Sequence, residues 1–335
     1  MVISISGKLW DLSFNNNAIY KAIKKILSWI EDGRHKLIFE NGVDVEKIIE
    51  SEKYFSYLET IKSCVTEQYY SQIENNTKIV RITETTNLIT QNKESFYDGL
   101  LLIQRIESKE YHYIDISKID TYLGRLLYIT VENMESDKGF IQAAFKAIRG
   151  RQLCTESEVQ FIHGGGNTID KVTMENSEHP VRMICIIDSD RKFPEMSRED
   201  SEKVAKLTSI CEQRNLTLIV LERREIENYL PLEALKSWLD KQNRSREKEH
   251  SFFTFTETQR AFFDMKKGLK QNEFAVEEIK RLYMDYDTEE KQNLLNNGFG
   301  KTVWQAFEEV ASTGSNFGEC ELEMRNMANK IESML

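Results

Sequence analysis

Short, almost wholly apolar runs alternate with amphipathic stretches through the middle of the chain. Two of these runs lie in the predicted strands 126–132 and 182–187, and they are typical of strands covered on both faces. The stretch 137–149 between them carries apolar residues at helical spacing, and Ser136 suits its N-cap. Parallel pairing needs a crossover connection, which such a helix provides. The pattern therefore predicts an α/β unit with a mostly parallel sheet.

The same pattern divides the chain into three segments. Residues 1–121 have the features of a mixed α/β domain, and no motif assigns them a role. Residues 122–231 hold the alternating strands and helices, and residues 232–335 are predicted to form a helical extension that packs on this core. Further strands are predicted over 2–6, 78–83, 159–163 and 216–221. Further helices are predicted over 54–73, 198–214, 232–242, 256–270, 275–286, 303–312 and 321–334, and around an apolar face of Ile19, Ile23, Ile26, Leu27 and Ile30 capped by Asn17.

Composition and charge restrict the function classes. The chain has 335 residues, of which 40% are hydrophobic and 30% are charged, an ordinary composition for a soluble protein. Its formal net charge is −10. A protein that coats DNA permanently is usually basic, so this charge argues against that class. Any contact with nucleic acid must then use a local basic patch.

The cysteines and the first residues of the chain indicate a reducing, cytoplasmic compartment. The five cysteines are scattered and none forms a C-x-x-C pair, which argues against a zinc site or a disulfide framework. The first residues lack the charged region and the long apolar core of a signal peptide. No run approaches the roughly 18 apolar residues of a transmembrane helix, so no membrane partner is expected.

Acidic residues follow two of the predicted parallel strands. Glu132 ends the strand 126–132, and Asp188 and Asp190 follow the strand 182–187. The carboxyl ends of parallel strands meet at one edge of the sheet, where the ligand sites of such sheets lie. Carboxylate oxygens are the ligands that Mg²⁺ prefers, and a metal ion there can activate water and stabilise charge on a phosphoryl group. The sequence thus predicts a Mg²⁺ or Mn²⁺ site, although an Asp-x-Asp sequence alone is common in turns.

Three motifs in this region resemble those of TOPRIM domains. Residues 131–137 (VENMESD) look like the first motif, V-E-G-x-S/T-D/E, and residues 186–190 (IIDSD) look like the D-x-D motif. Residues 221–231 (LERREIENYLP) resemble the R-E-I-E-N-Y-L segment of TOPRIM nucleases of the OLD (overcoming lysogenization defect) type. The TOPRIM effector of PARIS-type phage-defence systems belongs to the same broad group. The resemblance covers residues 126–231, about a third of the chain, and implies a Rossmann-like TOPRIM core.

The chain departs from this family in three ways. Asn133 stands where the family has glycine, and because asparagine tolerates positive φ better than most residues, the tight turn is expected to survive. One extra residue precedes Ser136 and Asp137, so either Glu135 or Asp137 corresponds to the last acid of the motif. The N-terminal ATPase of single-chain OLD nucleases is not expected, since the first 121 residues are too few and contain no Walker A motif.

The resemblance implies roles for individual residues. Glu132 would act as metal ligand or general base, with Asp188 and Asp190 as metal ligands. OLD-like nucleases also use a lysine near the C-terminus that helps to neutralise the scissile phosphate, and Lys301 is the candidate here. A site for two ions needs a further acid, and three residues are candidates: Asp137, Glu135 and Glu227. Glu227 equally fits an acid at a helix N-terminus, and a helix-capping turn is the more common role for a lysine placed as Lys301 is.

Basic residues are spread through the second half of the chain. One set, if it flanks the acidic edge, forms a phosphate track for backbone contacts to nucleic acid: Lys146, Arg149, Arg151, Arg223 and Arg224. An ordinary solvated face is the alternative, and it is our interpretation of Lys266, Lys267 and Lys270. The triplet Gly164-Gly165-Gly166 follows the predicted strand 159–163. We interpret it as a tight turn rather than a cofactor loop, because the pattern G-x-G-x-x-G is not completed.

The function expected from these observations is that of a Mg²⁺- or Mn²⁺-dependent endonuclease with one or two metal ions, acting on phosphodiester bonds in DNA or RNA such as tRNA. By resemblance, it is the toxic effector of an anti-phage defence system, controlled by a separate partner ATPase or sensor, and it is compatible with a homodimer. The alternative is a non-catalytic TOPRIM-like interaction subunit of a nucleic-acid-processing complex. The retained acids Glu132, Asp188 and Asp190 favour the enzyme.

Overall fold

The computed structural model describes residues 1–70, 78–84, 100–106, 109–177, 182–214, 216–245, 251–286 and 295–335. The end of the predicted helix 54–73 lies outside these ranges. The chain forms two compact units. The first is Met1–Leu127 with two short segments that end at Arg182 and Leu335, and the second spans most of 128–331. The residues from 232 to 331 therefore group with the second sheet. Within the described ranges, no helix is long and apolar enough to cross a membrane.

The first unit is built on a mixed five-stranded sheet. Its strands are β1 (Val2–Ile5), β2 (Lys36–Ile38), β3 (Lys78–Thr83), β4 (Leu100–Ile106) and β5 (Lys109–Asp115). They lie in the order β2-β1-β3-β5-β4, with β4 antiparallel to β5 and the other pairs parallel. The helices of this unit are α1 (Gly7–Ser13), α2 (Asn17–Glu31), α3 (Val45–Glu50), α4 (Leu58–Tyr70) and α5 (Ile119–Tyr122), with 3-10 turns at Glu52–Tyr57 and Ile116–Lys118. The unit has the mixed α/β character that its sequence predicts.

Helix α2 shows how the sequence builds this core. Asn16 caps the helix, since its side-chain oxygen accepts from the N–H groups of Ala18 and Ile19 at 3.0 and 3.2 Å. The cap lies one residue before the predicted Asn17. The apolar face of α2 is buried in a cluster with residues of β1 and β3 that includes Ile3, Ile5, Ile23, Ile26, Leu27, Val80 and Ile82.

The second unit contains a four-stranded sheet. Its strands are β6 (Leu127–Val131), β7 (Val159–His163), β8 (Met183–Ile187) and β9 (Thr217–Val220). They lie in the order β7-β6-β8-β9, with β6 parallel to β8 and β8 parallel to β9. The chain passes from one side of β6 to the other between β7 and β8, which makes a topological switch point. Ligands of open α/β sheets bind in the crevice at the carboxyl ends of such strands. The predicted α/β architecture is confirmed.

The helices of the second unit flank this sheet and fill the C-terminal part of the chain. They are α6 (Met134–Arg149), α7 (Ile169–Asn176), α8 (Glu202–Arg214), α9 (Leu232–Lys241), α10 (Glu257–Phe262), α11 (Glu277–Leu282) and α12 (Glu321–Glu332). Short 3-10 helices lie at Gly166–Thr168, Arg198–Asp200, Ile226–Tyr229, Ser251–Thr254, Gln271–Ala275, Met284–Tyr286, Val303–Glu309 and Gly318–Cys320.

Three of the predicted C-terminal helices are wrong in length or type. The helix predicted over 275–286 is limited to Glu277–Leu282 and is followed by a 3-10 helix at Met284–Tyr286. The helix predicted over 256–270 ends at Phe262, and the helix predicted over 303–312 is a 3-10 helix. The side-chain amide of Asn228 donates to the carbonyls of Arg260 and Phe263 at 2.7 and 2.8 Å. These carbonyls therefore bind a side chain at the point where the pattern predicted a continuing helix.

Helix α6 begins earlier than the pattern predicts, and Asn133 is its N-cap. The side-chain oxygen of Asn133 accepts from the Glu135 N–H at 3.1 Å. The backbone of Asn133 is extended, with φ −127° and ψ 123°, so the expected positive-φ turn at this residue is wrong. The extra residue of the motif is absorbed into the first turn of α6.

The glycine turn after β7 is hydrogen-bonded to the end of β6. The N–H groups of Gly164 and Gly166 donate to the carbonyls of Val131 and Glu132 at 2.7 and 3.0 Å. Two of the N–H groups of the turn are therefore engaged within the protein and do not point at a ligand. This supports the interpretation of the triplet as a tight turn and argues against a phosphate-binding loop. At Gly164, an added Cβ would lie 2.5 Å from Ile169 Cγ1 and 2.8 Å from the Val131 carbonyl oxygen. The close approach of β7 to β6 thus requires glycine.

We expect Gly164→Ala to destabilise the protein, because the new methyl group meets backbone that cannot move freely. The expected loss is roughly 1–3 kcal/mol, the usual cost of overpacking a dense site, measured by urea unfolding. Gly7→Ala is the matched control, since a Cβ there lies 3.6 Å or more from its neighbours. Equal stability of the two variants would contradict the assignment of Gly164 to a steric role.

Candidate metal centre

The ends of β6 and β8 bring Glu132 and Asp188 together. Strand β6 ends at Val131 and strand β8 at Ile187, so both acids are the first residues beyond adjacent parallel strands. The Asp188 N–H donates to Glu132 Oε1 at 3.0 Å. The acids that the sequence placed at one edge of the sheet are therefore neighbours, and they lie at the switch point of the sheet.

One carboxylate oxygen of Asp188 is isolated within the site. This Oδ1 atom is buried and has no hydrogen-bond partner. Burial raises the pKa of Asp188 well above its usual range, and the nearby charges of Glu132, Asp137 and Glu227 raise it further. A buried carboxylate oxygen without a partner is costly to the fold. Such a group is a strong indication of a ligand or a proton that the site is built to hold.

The loop that carries Asp188 is fixed by the backbone of the segment after β9. Ser189 Oγ donates to the Arg223 carbonyl at 2.7 Å, and the Asp190 N–H donates to the Arg224 carbonyl at 3.0 Å. Asp190 adopts a left-handed backbone conformation with φ 56°, which aspartate tolerates better than most residues. The 221–231 segment therefore holds the Asp-x-Asp loop in place.

Asp137, rather than Glu135, is the buried acid of the first motif. Asp137 Oδ2 accepts from the Asn133 N–H at 2.9 Å, and its Oδ1 accepts from Ser136 Oγ at 2.8 Å. Burial raises the pKa of Asp137, and these hydrogen bonds oppose the rise. The side chain of Glu135 is exposed. Because α6 begins at Met134, the turn brings Asp137 toward the other acids and leaves Glu135 at the surface.

Glu227 supplies a further buried acid from the segment after β9. It lies in the 3-10 helix Ile226–Tyr229 and is 0% exposed. Its Oε2 is 2.9 Å from Lys266 Nζ, and its Oε1 has no hydrogen-bond partner. Burial, followed by the charge of Glu225, raises the pKa of Glu227 to about 7. Glu227 and Asp188 interact electrostatically, so both belong to one acidic cluster.

Lys203 joins two of the predicted metal ligands, and no feature of the sequence pointed to it. Its Nζ lies 2.8 Å from both carboxylate oxygens of Glu132 and 2.5 Å from Asp190 Oδ2. Burial lowers the pKa of Lys203, but the charges of Glu132 and Asp190 outweigh this effect and the pKa is raised. Burial raises the pKa of Glu132 despite the lysine. Lys203 lies in the first turn of α8, where nothing in the pattern distinguishes it from Lys206.

Lys266 is a second cation of the site. The sequence pattern had predicted it to lie on a solvated face. Its Nζ lies 2.9 Å from Glu227 and 3.2 Å from Glu225. Burial would lower the pKa of Lys266, yet the acids Glu227, Glu225 and Asp188 together raise it. Glu225 also accepts from the Met265 N–H at 2.8 Å. The interpretation of Lys266 as a solvated residue is therefore wrong.

A close contact of two backbone segments positions Lys266. The Phe299 N–H donates to the Met265 carbonyl at 2.7 Å, and the Gly300 N–H donates to the Lys266 carbonyl at 3.1 Å. A Cβ on Gly298 would lie 2.5 Å from the carbonyl carbon of Lys266, so only glycine permits this approach. Lys301 follows directly, with an exposed side chain. The predicted phosphate-neutralising lysine thus lies beside Lys266 in the fold.

The structure does not assemble the predicted basic residues into a track. The Arg223 and Arg224 side chains are each 12% exposed. Arg223 pairs with Glu257, and Arg224 pairs with Asp264 and Glu273. Arg151 pairs with Glu158 at 2.8 Å. Helix α6 is roughly 24 Å long at about 1.5 Å per residue. Lys146 and Arg149 therefore lie near the end of α6 opposite to the acids, and Arg149 contacts Asn329 there.

The donor set fits a divalent cation, although the ligand cluster is not assembled for one. Within the described ranges, no group of three or more His, Cys, Asp or Glu side chains is arranged to hold a metal ion. The hard carboxylate oxygens of Glu132, Asp188, Asp190 and Glu227 are the donors that Mg²⁺ and Mn²⁺ prefer. Buried Asp188 Oδ1 and Glu227 Oε1 lack hydrogen-bond partners, as expected of atoms that bind a cation.

Comparison with known proteins adds nothing to this geometry. No family model, no curated protein and no solved structure matches the chain. A functional assignment therefore depends on the positions of the acids and lysines and on the sequence motifs that contain them.

The substitution Glu227→Gln tests how much the acidic cluster lowers the free energy of unfolding. The measurement is made with a metal chelator present, so that no bound cation offsets the acids. The folded protein holds the Glu227 proton more tightly than the unfolded chain does, because its pKa is raised from 4.5 to about 7. The free energy of unfolding of the wild type therefore falls as pH rises through this window, by about 3 kcal/mol at most. We expect the variant to lose most of this fall and to be the more stable protein above pH 7.

Urea unfolding at several pH values across this window measures the difference. Glu135→Gln is the control, since Glu135 is exposed and belongs to the same region. A Glu227→Gln protein that loses stability with pH as steeply as the wild type would show that Glu227 is not a source of strain.

Proposed function

We propose that this chain is a Mg²⁺- or Mn²⁺-dependent nuclease of the TOPRIM type, similar to OLD-like enzymes, that hydrolyses phosphodiester bonds in DNA or RNA. The observation that carries the proposal is the buried Oδ1 atom of Asp188, which has no hydrogen-bond partner and lies at the switch point of the sheet. The charges of Glu132, Asp137 and Glu227 all raise the pKa of Asp188, so these acids form one cluster with it. The sequence motifs of the TOPRIM family point to the same residues.

We assign the ligands from the chemistry of the donor set. Glu132, Asp188 and Asp190 would hold a first cation, and Asp137 or Glu227 would serve a second. Glu135 is exposed and is the weakest of the predicted ligands. A bound Mg²⁺ or Mn²⁺ supplies a Lewis acid that lowers the pKa of water and stabilises charge on the phosphoryl group.

The chain's own residues contribute proton transfer and positive charge. Burial raises the pKa of Glu132, and a carboxylate with a raised pKa is a better proton acceptor, which suits a general base. Lys301 is exposed beside the site and is suited to contact a phosphate that approaches from solvent. Lys266 neutralises Glu225 and Glu227 from inside the site.

The resemblance extends the proposal to a biological role. A toxic effector of a phage-defence system must stay inactive until a signal arrives, and a partner ATPase or sensor would provide this control. A cytoplasmic location and a homodimer are compatible with such a role. DNA and tRNA are the two substrate classes to compare.

Incubation of the protein with duplex DNA, single-stranded DNA and total tRNA, with and without Mn²⁺, tests the activity directly. We expect Mn²⁺-dependent cleavage of at least one substrate by the wild type. Glu132→Gln should reduce the rate by roughly a hundredfold or more, because it removes a ligand and a base. Glu135→Gln should cleave at the wild-type rate, since its side chain is exposed.

Cleavage by Glu132→Gln at the wild-type rate would show that the assignment is wrong. Calorimetric titration with Mn²⁺ separates the enzyme from a non-catalytic TOPRIM-like subunit. The enzyme should bind Mn²⁺ in a manner that Asp188→Asn abolishes, whereas no binding by the wild type would favour the non-catalytic subunit.

Lys301→Met tests the phosphate contact. We expect cleavage to slow by roughly a hundredfold, the usual effect of removing one group that stabilises transition-state charge. Mn²⁺ affinity should not change, because Lys301 is exposed rather than paired with the buried acids. Lys267→Met is the control, since Lys267 is an exposed lysine in the neighbouring segment. An unchanged rate in Lys301→Met would remove Lys301 from the mechanism.

A further inference from the structure

We propose that the Lys203 ammonium group occupies the cation position between Glu132 and Asp190, and that a divalent cation must displace it in order to bind Glu132. Lys203 is then a built-in competitor of the metal ion. This inference rests on the proposed function, because it concerns the same acids.

The contacts of Glu132 show the competition. Its Oε1 accepts both from the Asp188 N–H at 3.0 Å and from Lys203 Nζ at 2.8 Å. Its Oε2 accepts from the same ammonium group at 2.8 Å. Both carboxylate oxygens of Glu132 therefore face one positive charge. Since a metal ion binds carboxylate oxygens directly, it needs the space that the ammonium group fills.

Asp190 completes the position on its other side. Its Oδ2 lies 2.5 Å from Lys203 Nζ, so a single ammonium group joins two residues that are separate in the sequence. The Lys203 and Glu132 side chains are 15% and 17% exposed, whereas Asp190 is 53% exposed. The position is thus enclosed on the Glu132 side and open on the Asp190 side. A lysine on its flexible four-carbon stem can leave through the open side.

The remaining acids explain why a divalent cation would displace the Lys203 ammonium group from Glu132. Asp188 Oδ1 and Glu227 Oε1 have no hydrogen-bond partner, and the charge of Lys203 does not satisfy them. A divalent ion that reaches Glu132 and Asp188 together neutralises more of the cluster than one ammonium group can. Lys266, the other cation of the site, pairs with Glu225 and Glu227 and does not occupy the Glu132 position.

Calorimetric titration of Lys203→Met with Mn²⁺ is the first test. We expect the variant to bind Mn²⁺ roughly tenfold more tightly than the wild type. Lys206→Met is the matched control, because Lys206 lies on the same helix, carries the same charge and pairs at 2.6 Å with Glu202 instead. The control should bind Mn²⁺ with wild-type affinity, which separates displacement from a general loss of positive charge.

Acetylation of lysine side chains in the wild-type protein, followed by peptide mass spectrometry, is the second test and needs no variant. We expect saturating Mn²⁺ to increase the modification of Lys203 severalfold, because its ammonium group leaves the enclosed position. Modification of Lys206 should stay the same. Unchanged modification of Lys203 in saturating Mn²⁺ would overturn the proposal.

The two measurements distinguish failure of this inference from failure of the proposed function. Binding of Mn²⁺ by the wild type and by Lys203→Met with equal affinity would overturn the competitor and leave the metal site intact. No binding by either protein would overturn both the metal site and the competitor.

Discussion

The concentration of buried carboxylates at the ends of β6 and β8 is the constraint on which the rest of the site depends. Like charges repel strongly where water is excluded, and burial itself disfavours the ionised form. The raised pKa values of Glu132, Asp137, Asp188 and Glu227 all have burial as their largest cause. A fold selected for stability alone would not bury these acids together. Their presence is typical of functional sites, where strain is retained because the chemistry requires it.

The surrounding backbone is built to hold these acids in spite of their repulsion. The Asp188 N–H binds Glu132, and the Asn133 N–H binds Asp137. The carbonyls of Arg223 and Arg224 fix the Asp-x-Asp loop. Each of these contacts uses a main-chain group, which lies at a strand end, at a helix start or in the segment between β9 and the 3-10 helix Ile226–Tyr229. The carboxylates are therefore supported by main-chain groups of the second unit.

The sequence predicted the sheet and its acids because both depend on local order. The strand 159–163 was predicted with its observed bounds, and Glu132 and Asp188 follow their strands as expected. Lys203 and Lys266 could not be found in this way, since each pairs with residues distant in the chain. Their only local feature is positive charge, which many solvated lysines share. The start of α6 was missed for a different reason. Asn133 is the N-cap of this helix, but it was interpreted as the counterpart of a glycine in the TOPRIM motif.

The balance of charge in the site bears on the order of events in catalysis. The ammonium groups of Lys203 and Lys266 already pair with carboxylates of the site, so without a metal ion they offer little attraction to a phosphate. The net charge of −10 gives no long-range attraction for nucleic acid either. Under the proposed function, a cation would therefore bind before a phosphodiester enters, and local basic residues or a partner would deliver the nucleic acid. If Lys203 competes with the cation for Glu132, metal binding becomes the step that controls the activity. Control by a partner would then require only a small shift of α8, which carries Lys203 in its first turn.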